Sequence, residues 1–266
     1  MFKKTFVITL LVAFFLMLAP KGTYAASSIV DKSSLDKGIF TVNYTVGKDA
    51  KAIVRITKEN VKFDYNLVKG AQYPLQLGDG SYNVLIAELV SNNKYKVVAQ
   101  ENIDVKMENQ NVVFLQSIPL IDWNNETKAV VKAKKLTAAA KSDADKIAAI
   151  YSYLTQTFTY DYDKVQTVEA GYTPNLDEIY QASKGICYDY AATFAAMARS
   201  QGIPTRLVMG YEVDAPDTYH AWNQVYLQDS KEWVTIDTTY DAVRVQGGQD
   251  TPMFKAEADY TITKIY

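Results

Sequence analysis

The stretch Gly185–Gly202 constrains this chain more than any other. It reads Gly-Ile-Cys-Tyr-Asp-Tyr-Ala-Ala-Thr-Phe-Ala-Ala-Met-Ala-Arg-Ser-Gln-Gly. Ala191, Ala192, Phe194, Ala195, Ala196, Met197 and Ala198 leave the segment almost no polar face. A helix apolar on nearly every side must be buried, and its alanines let a sheet and other helices approach closely. Gly202 fits the left-handed residue just past a helix end, and Pro204 blocks continuation. The first turn carries Cys187, the only cysteine of the protein. Backbone N–H groups and the positive end of the helix dipole favour a thiolate there. A lone cysteine is more often a small buried hydrophobe, so the remainder of the chain must decide.

The address comes from the N-terminus. Lys3 and Lys4 precede an apolar run from Phe6 to Leu18, followed by Pro20, Gly22 and Thr23-Tyr24-Ala25. This is the pattern of a secretory signal peptide over residues 1–25, with cleavage expected after Ala25. The run is short for a bilayer span, so no stable membrane insertion is expected after cleavage. Loss of residues 1–25 removes three lysines and no acid, leaving 25 basic against 30 acidic residues. A mildly acidic, exported protein without a basic block offers little to nucleic acid. With one cysteine no intramolecular disulfide forms, and an unpaired thiol retained in an oxidising exterior hints at a use.

Residues 26–118 read as a small all-β sandwich. Ile39–Val46, Ala52–Thr57, Val61–Tyr65 and Tyr82–Ile86 are rich in β-branched and aromatic residues. Gly47-Lys48-Asp49, Gly78-Asp79-Gly80 and Asn92-Asn93 punctuate them as turns. Nothing in this region carries chemistry, and a spacer or binding module is its expected role. Residues 119–266 read as α+β. A helical pattern begins near Asp122-Trp123-Asn124, and Ser142 caps a second helix with Ile147, Ile150, Tyr151 and Leu154 as its core stripe. Thr173 to Tyr180 opens a short helix leading to Gly185. After the central helix the period becomes two, with strands at Thr205–Glu212, Tyr219–Leu227 and Glu232–Thr238, and a loop at Asp214–Asp217.

The second of these strands contains the only histidine, His220, and the third contains Asp237. If Leu227 pairs with Glu232, His220 falls opposite Thr239 and Asp237 sits diagonally beside it on the same face. An acid there fixes the imidazole tautomer and leaves the other ring nitrogen for a thiol. The cysteine and histidine counts give poor support to a metal site, and no metal or organic cofactor is implied. No Gly-x-Ser-x-Gly elbow occurs to support a serine nucleophile.

Gly185-Ile-Cys-Tyr-Asp-Tyr-Ala191, Gly202-Ile-Pro-Thr-Arg-Leu-Val-Met-Gly-Tyr211, His220-Ala-Trp-Asn-Gln-Val225 and Trp233-Val-Thr-Ile-Asp237 together resemble the core of the transglutaminase-like superfamily. The resemblance runs from about Asn124 to the C-terminus and implies a papain-like fold, a central helix packed on an antiparallel sheet. It implies Cys187 as nucleophile, His220 as base and Asp237 as orienting acid. Thr238 departs from the proline that many members carry after the acid, which would loosen a strand end there. Tyr160 is the candidate second donor to an oxyanion, and Trp222 is expected to wall the pocket. The implied activity is thiol-dependent acyl transfer at peptide or isopeptide amides, hydrolysis being favoured over transamidation. The expected partners are protein or peptide substrates in a wall or surface setting. The competing expectation is a non-catalytic surface- or wall-binding protein with a vestigial triad.

Overall fold

The computed structural model describes residues 29–47, 50–91 and 94–266. The expected signal segment and the turn residues Lys48-Asp49 and Asn92-Asn93 lie outside the described residues. The N-terminal part contains seven described strands: β1 (Val30–Asp31), β2 (Ile39–Val42), β3 (Ala52–Lys58), β4 (Val61–Asn66), β5 (Gln72–Pro74), β6 (Gly80–Ser91) and β7 (Lys94–Val105). They form two antiparallel sheets, β1-β2-β5 and β4-β3-β6-β7. Strand periodicity explains the layer between them, since alternate residues point to one face. Ala52, Val54 and Ile56 on β3, and Tyr82, Val84 and Ile86 on β6, are buried. Tyr65 of one sheet meets Tyr73 of the other edge to face, with centroids 5.8 Å apart, and Phe40 stacks on Tyr73 at 5.7 Å.

The second part is α+β. Its elements are α1 (Lys128–Leu136), α2 (Asp143–Thr157), β8 (Thr159–Tyr160), α3 (Tyr162–Thr167), α4 (Leu176–Ala182), β9 (Lys184–Gly185), α5 (Cys187–Ser200), β10 (Thr205–Glu212), β11 (Ala215–Leu227), β12 (Glu232–Ile236), α6 (Thr238–Gln246), β13 (Phe254–Lys255) and β14 (Tyr260–Ile265). Strands β10 to β14 make one antiparallel sheet in the order β13-β12-β11-β10-β14. Helix α5 packs on β10 and β11 and is surrounded by α1, α2, α4 and α6. Every residue of α5 from Asp189 to Arg199 is buried. The alanine run permits that crowding, and Gly202 takes the expected left-handed conformation, φ +79°. The Ser142 cap is present and reciprocal, with Asp145 returning a bond to the Ser142 N–H.

Several boundaries differ from the sequence expectation. The first helix starts at Lys128, because Asn124 and Thr127 spend their side chains on local backbone N–H groups that hold a turn. Strand β11 begins at Ala215, so Pro216 is strand and not loop. The third strand stops at Ile236, and Thr238 opens α6. Thr238 is therefore the first helical residue, a position that also suits proline, and no strand end is loosened by it. Strands β1, β5, β7, β13 and β14 add to the expected set.

The hydrophobic core runs on from the sandwich into the α+β part. The Tyr266 ring lies edge-on to Phe63 at 5.4 Å and to Tyr65 at 6.0 Å. Arg199, 3% exposed, donates to the carbonyls of Thr205 (2.9 Å), Gln116 (2.7 Å) and Tyr266 (3.1 Å). Burial pushes its pKa down to about 9.

Candidate active site

Cys187 occupies the first turn of α5, half-buried, with no disulfide partner. That turn is held from behind by Asp189, which is fully buried. One Asp189 oxygen accepts from the Ile186 N–H at 2.9 Å and from Lys164 Nζ at 2.6 Å, while the other accepts from the Tyr172 hydroxyl at 2.6 Å. The short parallel pairing of β8 with β9 sets Tyr160 opposite Gly185. Tyr160 thereby enters the surroundings of the thiol. Burial, then the charge of Cys187, raises its hydroxyl to about 12, so at neutral pH it is a proton donor.

His220 lies on β11, where it pairs with Gly210 of β10. Its Nε2 is 2.6 Å from Asp237 Oδ2, and the imidazole is 11% exposed. Leu227 does pair with Glu232, as the even register requires, and the ladder runs to Asn223–Ile236. Beyond that point the expected pairing of His220 with Thr239 fails, because Asp237 is the cap of α6. Its Oδ1 accepts from the N–H groups of Thr239 (3.1 Å) and Tyr240 (3.0 Å). One carboxylate thus starts a helix with one oxygen and holds the imidazole with the other. Nε2 being engaged, Nδ1 is the nitrogen left for the thiol.

Electrostatics at His220 oppose one another. Burial disfavours the imidazolium, but the Asp237 charge, the hydrogen bond to it and the neighbouring Cys187 thiol outweigh that cost. The balance raises the imidazole from an ordinary 6.5 to about 11. The three expected residues are brought together.

Trp222 takes a different place from the one expected. It is 1% exposed, stacks on His220 at 6.0 Å and packs on its other side against Tyr260 at 4.8 Å. It backs the imidazole and does not wall the cavity. Gly210 makes the room: a Cβ there would stand 2.9 Å from the Trp222 ring and 1.9 Å from the Thr261 carbonyl oxygen.

Two further groups escaped the sequence reading. Glu212 Oε1 is 3.5 Å from His220 Nε2, and burial raises the Glu212 pKa, partly offset by His220. The Tyr260 hydroxyl donates to Asp237 Oδ2 at 3.4 Å, and burial pushes its pKa well up. Glu212 lies two residues beyond the His220 partner on β10, so period-two logic applied to that strand would have found it. Tyr260 sits opposite Glu212 on a returning strand, for which the sequence carries no local signal. The ligand atoms of Glu212, His220 and Asp237 lie within 4.8 Å of one another, a spacing a cation could use. The Asp237 oxygen and the His220 nitrogen in that set already satisfy each other.

A cavity of about 280 Å³ opens beside the imidazole, lined by Tyr160, Tyr162, Tyr240 and Val243 with Glu212 and Arg244. A larger one, about 720 Å³, lies between the sandwich and the linker around Val68, Trp123 and Asn175; of the three expected residues only His220 lines either cavity, the smaller one. Chemistry belongs to the smaller.

Residues 131–238 match the model of the transglutaminase-like superfamily. That core is thus a transglutaminase-like one, and it holds all three expected residues. The fold of the chain is mixed α+β with a β-rich N-terminal part. The superfamily consists in general of cysteine-dependent enzymes. Among curated proteins the chain is similar to the uncharacterized protein YebA of Bacillus subtilis, at 24% identity over 54% of this chain. It is also similar to a protein-glutamine gamma-glutamyltransferase of Pseudomonas aeruginosa, at 32% identity over 27% of this chain. The matches span only 22% and 13% of those relatives' own lengths. Among solved structures, the periplasmic domain of TgpA from Pseudomonas aeruginosa aligns with a TM-score of 0.40 and 15% identity, covering 73% of this chain and 91% of that one.

Proposed function

We propose that this protein is an exported thiol-dependent acyl-transfer enzyme acting on peptide or isopeptide amides. The observation that carries the reading is the contact of His220 with Asp237 at 2.6 Å beside Cys187. Cys187 Sγ, deprotonated by His220, attacks the amide carbonyl carbon, forming a C–S bond. The oxyanion is met by the Cys187 backbone N–H, an unpaired donor in the first helical turn, and by the Tyr160 hydroxyl. The C–N bond breaks as His220 passes its proton to the leaving amine. Water or a second amine then attacks the thioester, His220 takes up the proton released, and Sγ is freed.

Hydrolysis is the favoured outcome, because the cavity rim stands open to solvent at Tyr162 (66% exposed) and Tyr240 (41%). The Pseudomonas relative bears a transferase name, which keeps transamidation as the competing outcome. Export rests on the residue 1–25 pattern. Among the described residues no helix is long and apolar enough to cross a membrane.

The test is covalent trapping with a peptidyl acyloxymethyl ketone, read by intact mass. The wild-type chain is expected to gain one adduct on Cys187, and Cys187→Ala none. An unmodified wild type sinks the enzymatic reading and leaves a binding protein. Thioester turnover with and without an added alkylamine separates hydrolysis from transamidation, and N-terminal sequencing of secreted material is expected to begin at Ala26.

A further inference from the structure

The protein has four arginines, and the other three are committed. Arg55 makes two bonds to Asp64, at 2.6 and 2.7 Å. Arg199 is spent on three carbonyls, and Arg206 lies 3.7 Å from the Trp233 ring centre with a bond to Gln224. Arg244 differs. It stands on α6 one turn beyond Tyr240, half-buried, on the wall of the cavity that contains His220. Nη1 donates to the Tyr240 hydroxyl at 2.6 Å, and the guanidinium lies 5.2 Å from that ring centre. Its Nε, like that of Arg206, has no partner, and among the described residues no carboxylate comes within ion-pair distance of Arg244; what sets it apart is its place on the cavity wall beside His220. Glu212, the acid on the same wall, lies instead against His220.

A guanidinium held in place yet left without an anion presents a planar fork that matches a carboxylate. The rest of the wall is Tyr160, Tyr162, Tyr240, Val243 and Thr239, with His220 and with Glu212 turned against it, so this cation is the wall's free charged handle on an incoming chain. We infer that Arg244 selects acidic acyl donors: peptides with a side-chain carboxylate next to the reacting amide, bound by the free edge of the guanidinium while Tyr240 fixes its plane. This rests on the acyl-transfer reading and adds to it the class of substrate.

The experiment compares alkylation of Cys187 by iodoacetate and iodoacetamide, which differ by a carboxylate against an amide. It is repeated with two peptidyl acyloxymethyl ketones that differ only in Glu against Gln. In the wild type the anionic member of each pair is expected to gain, and in Arg244→Gln the ratio is expected to fall about three- to tenfold, an effect that added salt weakens. Arg244→Lys retains the charge and is expected to keep most of the preference. Both variants are checked for folding by circular dichroism. A wild type without preference overturns the inference. So does a preference that survives in Arg244→Gln, which would assign it to the imidazolium, or one lost equally in Arg244→Lys. If Cys187 reacts with no reagent in any variant, the acyl-transfer reading falls first and takes the inference with it.

Discussion

Helix α5 begins with Cys187, half-buried and near the imidazole of His220, and nears its end with Arg199, which is 3% exposed and donates to three carbonyls. Both ends lie in one helix whose middle is sealed, yet they are built on opposite rules. At the Arg199 end every polar demand is met within the chain, so that end ties helix, linker and final strand together. At the Cys187 end the supporting shell is fixed by Asp189, while the sulfur itself faces an imidazole that Asp237 and Trp222 hold in place. A buried polar group that is satisfied rigidifies its surroundings. One left poised on a rigid support can do chemistry.

Exchanging residues at the two ends breaks this comparison most directly. Cys187→Ala is expected to abolish peptidyl-ketone labelling and amide turnover altogether, with an unfolding midpoint close to that of the wild type. Arg199→Met should do the reverse. It takes the donor from the Thr205 and Gln116 carbonyls, while the Tyr266 carbonyl still accepts from the Leu207 N–H at 2.9 Å; at roughly 1–3 kcal/mol per unsatisfied carbonyl, a loss of ~2 kcal/mol or more is expected in urea titration. A stable Arg199→Met protein would show that the carbonyls find other donors.

Asp237 sharpens the contrast with a smaller effect. Asp237→Asn keeps a capping oxygen for Thr239 and Tyr240 but removes the anion from His220. Its stability is expected to fall at neutral pH, because the protonated imidazole loses its partner, and the pH profile of Cys187 alkylation moves to higher pH. Asp237→Ala removes both, and a further cost of about 1 kcal/mol is expected for the lost cap. If the two variants match in stability, the cap contributes nothing.

The same His220–Asp237 pair also sets a pH window. His220 binds its proton more tightly in the folded chain, at about 11 against an ordinary 6.5. Its contribution to stability is therefore fully present below about pH 6.5 and is lost as pH rises through about 11. The gap in urea midpoint between wild type and His220→Gln should narrow steadily across that interval. A gap that widens with rising pH would mean the imidazole is held neutral.

Much of this was legible in the residues. The alanine run forecast a sealed central helix, and Ser142 forecast the start of α2, because burial and capping each leave a local mark. The Leu227–Glu232 register was legible too, and it sufficed to bring His220 near Asp237. What escaped was where the strand stopped. Thr238, Thr239 and Tyr240 have strand-like propensities, and tertiary context overrode them once Asp237 had capped two of their N–H groups. The shell around the imidazole escaped for another reason. Trp222 was expected on the pocket wall, but a glycine ten residues before His220 and a strand forty residues after it, carrying Tyr260, draw it behind the ring. Such long-range closure leaves no periodic trace.

The double duty of Asp237 has one more consequence. Because a single side chain both starts α6 and steers the imidazole, the base cannot be aligned in a molecule whose α6 is still unwound. Assembly of the reactive centre is thereby tied to the first turn of that helix, and amide exchange at Thr239 and Tyr240 would report how often an otherwise folded molecule lapses into its unaligned form.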